Sequence, residues 1–158
     1  MKGKALFILL AAAIAASCSN KKESQNNDPD DDVKAQTNTV DLRGQWYLEN
    51  IIFNDSTYIR PAEETPDVRQ YITFEDSTFH IQTNCNTIQG EYKVSGDSIS
   101  FPVTFMTEMA CENMTTEDAL RRILPDIVAV DVQNDSVTRL CGRTPAECIM
   151  LVKAKEKK

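Results

Sequence analysis

Histidine is almost absent from this sequence, and that scarcity limits the chemistry it can support. His80 is the single histidine, and no two cysteines stand in a C-x-x-C spacing. Zinc sites rely on closely spaced cysteines or histidines, and serine or cysteine hydrolases need a histidine base. His80 falls on the polar face of a predicted strand, where contact with solvent is its ordinary role. We therefore expect no metal, no cofactor and no catalytic residues.

Basic residues are also in short supply. The sequence has 17 lysines and arginines against 24 aspartates and glutamates, which gives a formal net charge of −7. Proteins that bind nucleic acid or anionic lipid head groups through bulk charge carry the opposite balance. The basic tail at 154–158 is a small exception and is typical of a solvated chain end. The sequence thus predicts no nucleic-acid partner.

Long apolar runs are missing except for one near the N-terminus. Residues 5–16 form an apolar run behind two lysines, too short to span a bilayer comfortably. This pattern predicts a signal peptide over residues 1–17. The sequence AASC at 15–18 resembles a lipobox, in which Cys18 is lipidated and becomes the first mature residue. Because Ser19 follows the cysteine, the resemblance implies a lipid-anchored envelope protein in the outer membrane of a Gram-negative bacterium.

The segment behind the signal peptide, residues 18–40, has few apolar side chains. Such a segment cannot bury enough surface to offset its chain entropy, so we expect a disordered tether behind the lipidated cysteine. What remains, residues 41–153, has the length of one domain with a single core.

Alternating apolar and polar residues dominate the domain and predict about eight short strands. Residues 61–67 are predicted as loop, and TTEDALRRILPDI at 115–127 has the spacing of a helix. Strands of this kind favour an antiparallel sheet that closes. We therefore predict a mainly β (α+β) domain, a small antiparallel β-barrel-like sheet with one helix. Pro102 indicates an edge or a bulge. Parity places five aromatic side chains inside: Phe74, Phe79, Tyr92, Phe101 and Phe105.

Three motifs connect the domain to a known family. RGQWYL at 43–48, NCNTIQGEY at 84–92 and TEMAC at 107–111 occur in this order, followed by the predicted helix and a closing hairpin. Together they resemble the META domain, also called HslJ-like, over residues 41–153. The resemblance implies a small β-barrel-like fold with one helix. It also implies envelope lipoproteins linked to stress, with no established catalytic activity.

Four cysteines remain beside the lipidated one, and export to an oxidising compartment favours two disulfides. Cys85 and Cys111 both stand where a strand ends, which favours a bridge between them. Cys141 and Cys148 flank a short hairpin loop and form the other pair. This is the preferred one of the three connectivities that four cysteines allow. Strand parity places Arg139 on the same face as Cys141.

The NCN corner, residues 84–86, has a local explanation. Asn84 and Asn86 suit a turn because their amides bond nearby backbone, and Gly90 suits a bulge or tight curvature. The alternative interpretation is a binding loop at the barrel mouth, formed by Asn84, Asn86 and Gly90.

A short motif recurs at the predicted turns. Asp-Ser followed by Thr, Ile or Val occurs four times, and Asp-Ser is good turn chemistry. The tripeptide also resembles the O-glycosylation acceptor of Bacteroidota envelope proteins, which is a sharper interpretation. The serines concerned are Ser56, Ser77, Ser98 and Ser136.

The sequence favours a non-catalytic, lipid-anchored protein of the cell envelope, with an accessory or binding role in envelope stress or maintenance. Its expected partners are the membrane, through the anchor, and an envelope protein or a small ligand. Two other classes stay open. A lipocalin-like carrier of a small apolar ligand needs an internal void. An enzyme needs a cleft with perturbed carboxylates, and nothing in the sequence marks out such a pair.

Overall fold

The structure is a computed structural model that describes residues 39–54, 56–144 and 146–155. The predicted signal peptide, Cys18, most of the tether and the last residues of the basic tail lie outside these ranges, and the predictions on them stay predictions. Within the described ranges, no helix is both long and apolar enough to cross a membrane. Val40, at the end of the predicted tether, is half-buried against the core, so ordered structure begins before residue 41.

Nine strands lie in the described residues. In chain order they are β1 (Gly44–Asn54), β2 (Thr57–Ile59), β3 (Tyr71–Phe74), β4 (Thr78–Gln82), β5 (Thr87–Ser95), β6 (Ser98–Met106), β7 (Ile127–Asn134), β8 (Val137–Gly142) and β9 (Cys148–Lys153). The predicted helix is α2 (Thr115–Ile123), continued by a 3-10 turn at Leu124–Asp126. A single helical turn, α1 (Pro61–Glu64), stands where the sequence predicted only loop. Pro61 begins it because the fixed φ of proline suits a first helical position.

The strands form a closed antiparallel barrel. β1 pairs with β3 through residues 44–47 and with β9 through residues 46–52. Strands β3 to β9 pair in chain order, so eight strands close the barrel and β2 extends it beside the end of β1. The seam between β6 and β7 has one register pair, Ser98 opposite Ala129. The predicted barrel of about eight strands with one helix is confirmed.

Side chains fill the barrel and close both of its ends. Alternate strand residues point inward, and Ile51, Ile81, Leu140 and Leu151 are all 0% exposed. At one end, here called the helix end, α2 buries Leu120 and Ile123 in the core, and its Glu117 bonds the NCN corner. At the other, here called the terminal end, Leu42 is buried and its carbonyl accepts the Trp46 indole N–H at 2.7 Å. The two closures lie at opposite ends of β5, which runs from the corner to the turn at Gly96.

A bulge in β6 overturns one of the inward predictions. Ser100 lies opposite Lys93, but Val103 lies opposite Glu91, so two residues of β6, Phe101 and Pro102, face Tyr92 alone. An extra residue exchanges the two faces of everything beyond it. Phe105 therefore points outward and is 64% exposed, so its predicted inward position is wrong. The bulge predicted from Pro102 is confirmed.

The other four aromatic side chains follow the predicted parity. Phe74, Phe79 and Tyr92 are buried, and Phe101 is half-buried at the bulge. Phe74 packs edge-to-face on Tyr92, and Phe79 packs edge-to-face on Phe101, each with 4.9 Å between ring centroids. Edge-to-face contacts of this kind add to the stabilisation from burial alone. The aromatic cluster thus anchors β3 to β6 against one another.

Asp41 and Arg43, on either side of Leu42 in the sequence, form an exposed ion pair at the terminal end. The Asp41 carboxylate accepts hydrogen bonds from the Arg43 guanidinium at 2.9 and 2.7 Å and from the Arg43 backbone N–H at 3.0 Å. These bonds favour the ionised form and lower the pKa of Asp41 from its ordinary 3.8 to about 2. Because the pair is exposed to solvent, its effect on stability is small.

Replacing Asp41 with asparagine is expected to remove a contribution to the free energy of unfolding that is lost at low pH. The folded pKa is lower than the unfolded one, so the contribution is present above the ordinary pKa of 3.8 and is lost as the pH falls through about 2. Urea unfolding of parent and Asp41→Asn should show a small difference at neutral pH that disappears between these two values. Asp67→Asn is the control, since Asp67 has no partner among the described side chains. A difference that persists below pH 2 would contradict this origin.

Candidate functional site

The NCN corner joins β4 to β5 and is closed by its own hydrogen bonds. Thr83 and Asn86 are 1% and 0% exposed, although both are polar. The Thr83 N–H donates to the Asn86 carbonyl at 3.0 Å, and the Asn86 N–H donates to the Thr83 hydroxyl oxygen at 2.9 Å. In this pattern Thr83 and Asn86 bond each other across a tight turn, so both buried residues have hydrogen-bond partners.

The side chain of Asn86 binds the backbone of the TEMAC segment, residues 107–111. Its Oδ1 accepts the Thr107 hydroxyl and the Met109 N–H, both at 2.8 Å. Its Nδ2 donates to the Met109 carbonyl at 3.0 Å. The neighbouring Asn84 donates from Nδ2 to the Asn113 carbonyl at 2.8 Å. Both asparagines therefore tie the corner to the chain that leads into α2.

Glu117 holds the corner from the other side. It is 0% exposed, in the first turn of α2, where the helix dipole favours a negative charge. Its Oε1 accepts the Thr83 hydroxyl at 2.5 Å, the Asn86 N–H at 3.1 Å and the Cys85 N–H at 3.2 Å. Its Oε2 is buried with no partner among the described atoms. A hydroxyl beside a carboxylate resembles an activated nucleophile, but burial closes this pair to a substrate.

Sequence reasoning missed Glu117, although a signal for it exists. Glu117 lies three positions before Leu120 and seven before Leu124, so it shares the apolar face of α2. An acidic residue on that face must find buried partners. The backbone N–H groups of the NCN corner are those partners.

Two disulfides lie at the helix end, with the pairing that the sequence favoured. Cys85 bonds Cys111 across 6.1 Å between Cα atoms and links the corner to the TEMAC segment. Cys141 bonds Cys148, its register partner in the β8–β9 hairpin, across 4.1 Å between Cα atoms. Cys111 is exposed, whereas Cys141 and Cys148 are buried. The first bridge covers the helix end from outside, and the second fastens a hairpin.

Arg139 lies beside the second bridge, as strand parity indicated. Its Nη2 is 3.1 Å from the Cys148 sulfur and 3.7 Å from the Cys141 sulfur. Its Nη1 is 3.8 Å from the Asp131 carboxylate. The guanidinium group therefore lies against both sulfurs of the bridge and also reaches the Asp131 carboxylate.

One protein-family model matches the part of the chain that forms the barrel, the NCN corner and α2. The model described as "META domain" matches residues 39–154. The chain belongs to the META domain family. The match includes RGQWYL at 43–48, the NCN corner, the TEMAC segment, α2 and the closing hairpin of β8 and β9.

Solved structures show the same fold as this META domain at low identity. A protein from Burkholderia xenovorans, solved by NMR, has a TM-score of 0.59 and 18% identity, covering 88% of this chain and 100% of its own. The crystal structure of a DUF4847 family protein from Bacteroides vulgatus has a TM-score of 0.52 and 14% identity, covering 72% of this chain and 94% of its own. At these identities the likeness concerns the fold alone. No curated protein matches the chain.

Gly90 of the META domain lies in β5 rather than in the corner loop. A Cβ at this position would collide with the backbone carbonyl of Val103 in β6. The close approach occurs next to the bulge, so Gly90 permits the tight curvature that the sequence indicated. Of the three predicted binding-loop residues, Asn84 and Asn86 lie together and Gly90 stands apart. The binding-loop interpretation stays a prediction, with both asparagine side chains engaged in internal bonds.

The serines of the four Asp-Ser motifs are all exposed at the surface of the META domain. Ser56 and Ser136 sit in hairpin turns, where the side chains of Asn54 and Asn134 accept their N–H groups at 2.9 Å. Ser77 and Ser98 stand at the β3–β4 and β5–β6 turns and are exposed. All four serines thus stand at turns, as the turn interpretation of the motif predicts, and glycosylation of these serines stays a prediction.

Titratable groups with shifted pKa values lie outside the NCN corner. Arg43 and Arg60 are exposed and have raised pKa values because Asp41 and Glu63 accept their hydrogen bonds. Burial raises the pKa of Tyr92, whose hydroxyl donates to the Glu75 carbonyl. Among the described residues, no group of three or more histidines, cysteines or acids could hold a metal ion. These shifts belong to surface ion pairs and one packed tyrosine.

Proposed function

We propose that the protein is a lipid-anchored component of the cell envelope that works without catalysis, by binding a partner at the outside of its barrel. The observation that supports this most directly is the filled interior, closed by α2 at one end and by Leu42 at the other. A protein with its interior occupied by its own side chains has its outer surface left for recognition. An accessory role in envelope stress or maintenance is consistent with this arrangement.

The position at which the described domain begins supports attachment through the tether. Thr39 and Lys155 both stand at the terminal end, where Val40 bonds Gly96 and Ala154 bonds Gln45. An anchor at Cys18 therefore holds the domain by that end.

The carrier alternative requires space that the core occupies. Ile72, Phe74 and Ile88 are at most 2% exposed and belong to one continuous core cluster. Interiors packed in this way hold few voids larger than a water molecule. We therefore place binding on the outside, in preference to a ligand enclosed by the barrel.

Replacing Cys18 with alanine is expected to release the protein from the membrane. One thioether-linked lipid plus an acylated amino group holds a mature lipoprotein in the bilayer, and both depend on this cysteine. Fractionation of cells that express the full chain should show the parent in the membrane pellet and Cys18→Ala in the soluble fraction. Ser24→Ala, in the tether, is the matched control. A Cys18→Ala protein that stays in a salt-washed pellet, or a parent whose intact mass carries no lipid, would contradict the proposal.

A further inference from the structure

The outer face of β3 to β6 carries a groove of about 500 Å³, here called the outer groove. One row of side chains crosses its four strands, because Thr73 pairs with His80, His80 with Gln89 and Gln89 with Phe105. A second row runs beside it, with Thr78 opposite Glu91 and Glu91 opposite Val103. The groove thus combines one aromatic ring with several hydrogen-bonding groups on a rigid sheet.

The bulge in β6 makes Phe105 part of the outer groove. Without the extra residue, Phe105 would point into the core, as alternation predicted. With it, Phe105 is 64% exposed on the same face as Glu91. Glu91 faces Val103, so it is the diagonal neighbour of Phe105, with Cα atoms about 7 Å apart. An exposed ring and a carboxylate therefore stand side by side.

The polar groups of the outer groove are available to a ligand. Among the described residues, the side chains of His80, Gln89 and Glu91 make no hydrogen bond and no ion pair. Glu75 also lines the groove, and the Thr78 hydroxyl donates to it at 3.1 Å. No lysine or arginine of the described chain lines the groove. Lys93, two residues along the same face of β5, makes no ion pair with Glu91, so the two carboxylates that line the groove favour a cationic ligand over an anionic one.

A guanidinium group fits the adjacent ring of Phe105 and carboxylate of Glu91 better than an ammonium group does. Its flat face stacks on an aromatic ring, while its edge donates two parallel hydrogen bonds to one carboxylate. Phe105 offers the ring and Glu91 offers the carboxylate. The second carboxylate, Glu75, lies two strand spacings from Glu91, about 10 Å. A polyproline-type chain places residues i and i+3 on one side at about 9 Å, which matches that separation.

We propose that the outer groove binds a basic segment of a partner protein, with one arginine stacked on Phe105 and paired with Glu91, and a second basic residue at Glu75. This deepens the proposed binding role and names the partner's chemistry. The free side chains of His80 and Gln89 then hydrogen-bond the backbone between the two basic residues. The site is shallow and open, so the expected binding is weak and dependent on salt.

The test is fluorescence anisotropy with the full chain in detergent micelles and a labelled Gly-Arg-Pro-Pro-Arg-Gly peptide as the probe. We expect saturable binding, weakened about tenfold when citrulline, which is neutral and of the same shape, replaces both arginines. Lysine in their place should bind more weakly than arginine. Glu91→Gln should weaken binding about fivefold and Phe105→Ala about threefold, because both partners are exposed.

Two variants outside the outer groove serve as matched controls. Glu112→Gln removes an exposed carboxylate and Val132→Ala an exposed apolar side chain, and both should leave the Kd unchanged. Equal binding of the citrulline peptide, equal binding of the lysine peptide, or groove variants with the parental Kd would each overturn the proposal. An absence of saturation at millimolar peptide would also overturn it. Membrane release by Cys18→Ala is measured without the peptide, so the two proposals fail separately.

Discussion

Glu117→Ala is expected to destabilise the domain by about 3 kcal/mol, since it removes a buried carboxyl oxygen that accepts three hydrogen bonds. The N–H groups of Cys85 and Asn86 lose that acceptor. Part of the loss is recovered, because the Thr83 hydroxyl oxygen lies 2.9 Å from the Asn86 nitrogen and can still accept. Urea unfolding of parent and variant, followed by circular dichroism, measures the difference.

Two further variants separate the carboxylate from its position in the helix. Glu117→Gln keeps an oxygen at the Oε1 position and should cost less than Glu117→Ala, about 1–2 kcal/mol, because the bonds become neutral. Asp118→Ala changes an exposed acid in the same helical turn and should stay within about 0.5 kcal/mol of the parent. If the alanine variants at 117 and 118 proved equally stable, Glu117 would not be holding the NCN corner.

The second large effect is expected from opening the Cys85–Cys111 bridge. The bridge joins residues 26 positions apart, so its loss frees a long loop in the unfolded chain. The chain-entropy relation gives about 3.5 kcal/mol for a loop of this size, against about 2.5 kcal/mol for the shorter Cys141–Cys148 loop. Cys85→Ser with Cys111→Ser should therefore lower the free energy of unfolding by about 3.5 kcal/mol under oxidising conditions.

A reducing agent provides the control for this prediction. It opens the bridges of the parent as well, so parent and double variant should then unfold at nearly the same urea concentration. Hydrogen exchange adds a local measurement, because the Met109 amide donates to Asn86 within the region that the bridge covers. That amide should exchange faster in the double variant. A stability gap that survives full reduction would mean that loop closure is not its source.

The barrel could be predicted from the sequence because the features that indicate it, alternation and turn residues, are local. Alternation in segments such as β4 and β5 indicates which side chains point inward, and turns such as Gly96–Asp97 mark where strands end. The pairing of Cys85 with Cys111 was predicted from their expected positions where strands end, although Cys111 lies five residues beyond the end of β6. The structure confirms both the fold and that pairing.

The features that sequence reasoning missed depend on contacts between distant residues. Pro102 indicated a bulge, but the exchange of faces beyond it becomes visible only when β6 is aligned with β5. Phe105 was therefore assigned to the wrong side, and the outer groove could not be foreseen. Glu117 bonds residues more than thirty positions earlier, so no local pattern names its partners. An acid on an apolar helix face shows that partners exist, and only the fold shows which ones.

Because β1 pairs with β9, the barrel can close only after the last strand is available to the first. Trp46 has Lys153 as its register partner, so one edge of the first strand waits for the last strand to appear. Pairings between residues so far apart slow folding, since the loop must close before any contact compensates for the lost entropy. A chain delivered from its N-terminus therefore keeps an open strand edge until nearly all of it has emerged. Chaperones that shield such edges during delivery would act on this protein longer than on a protein whose strands pair only with the next strand in the sequence.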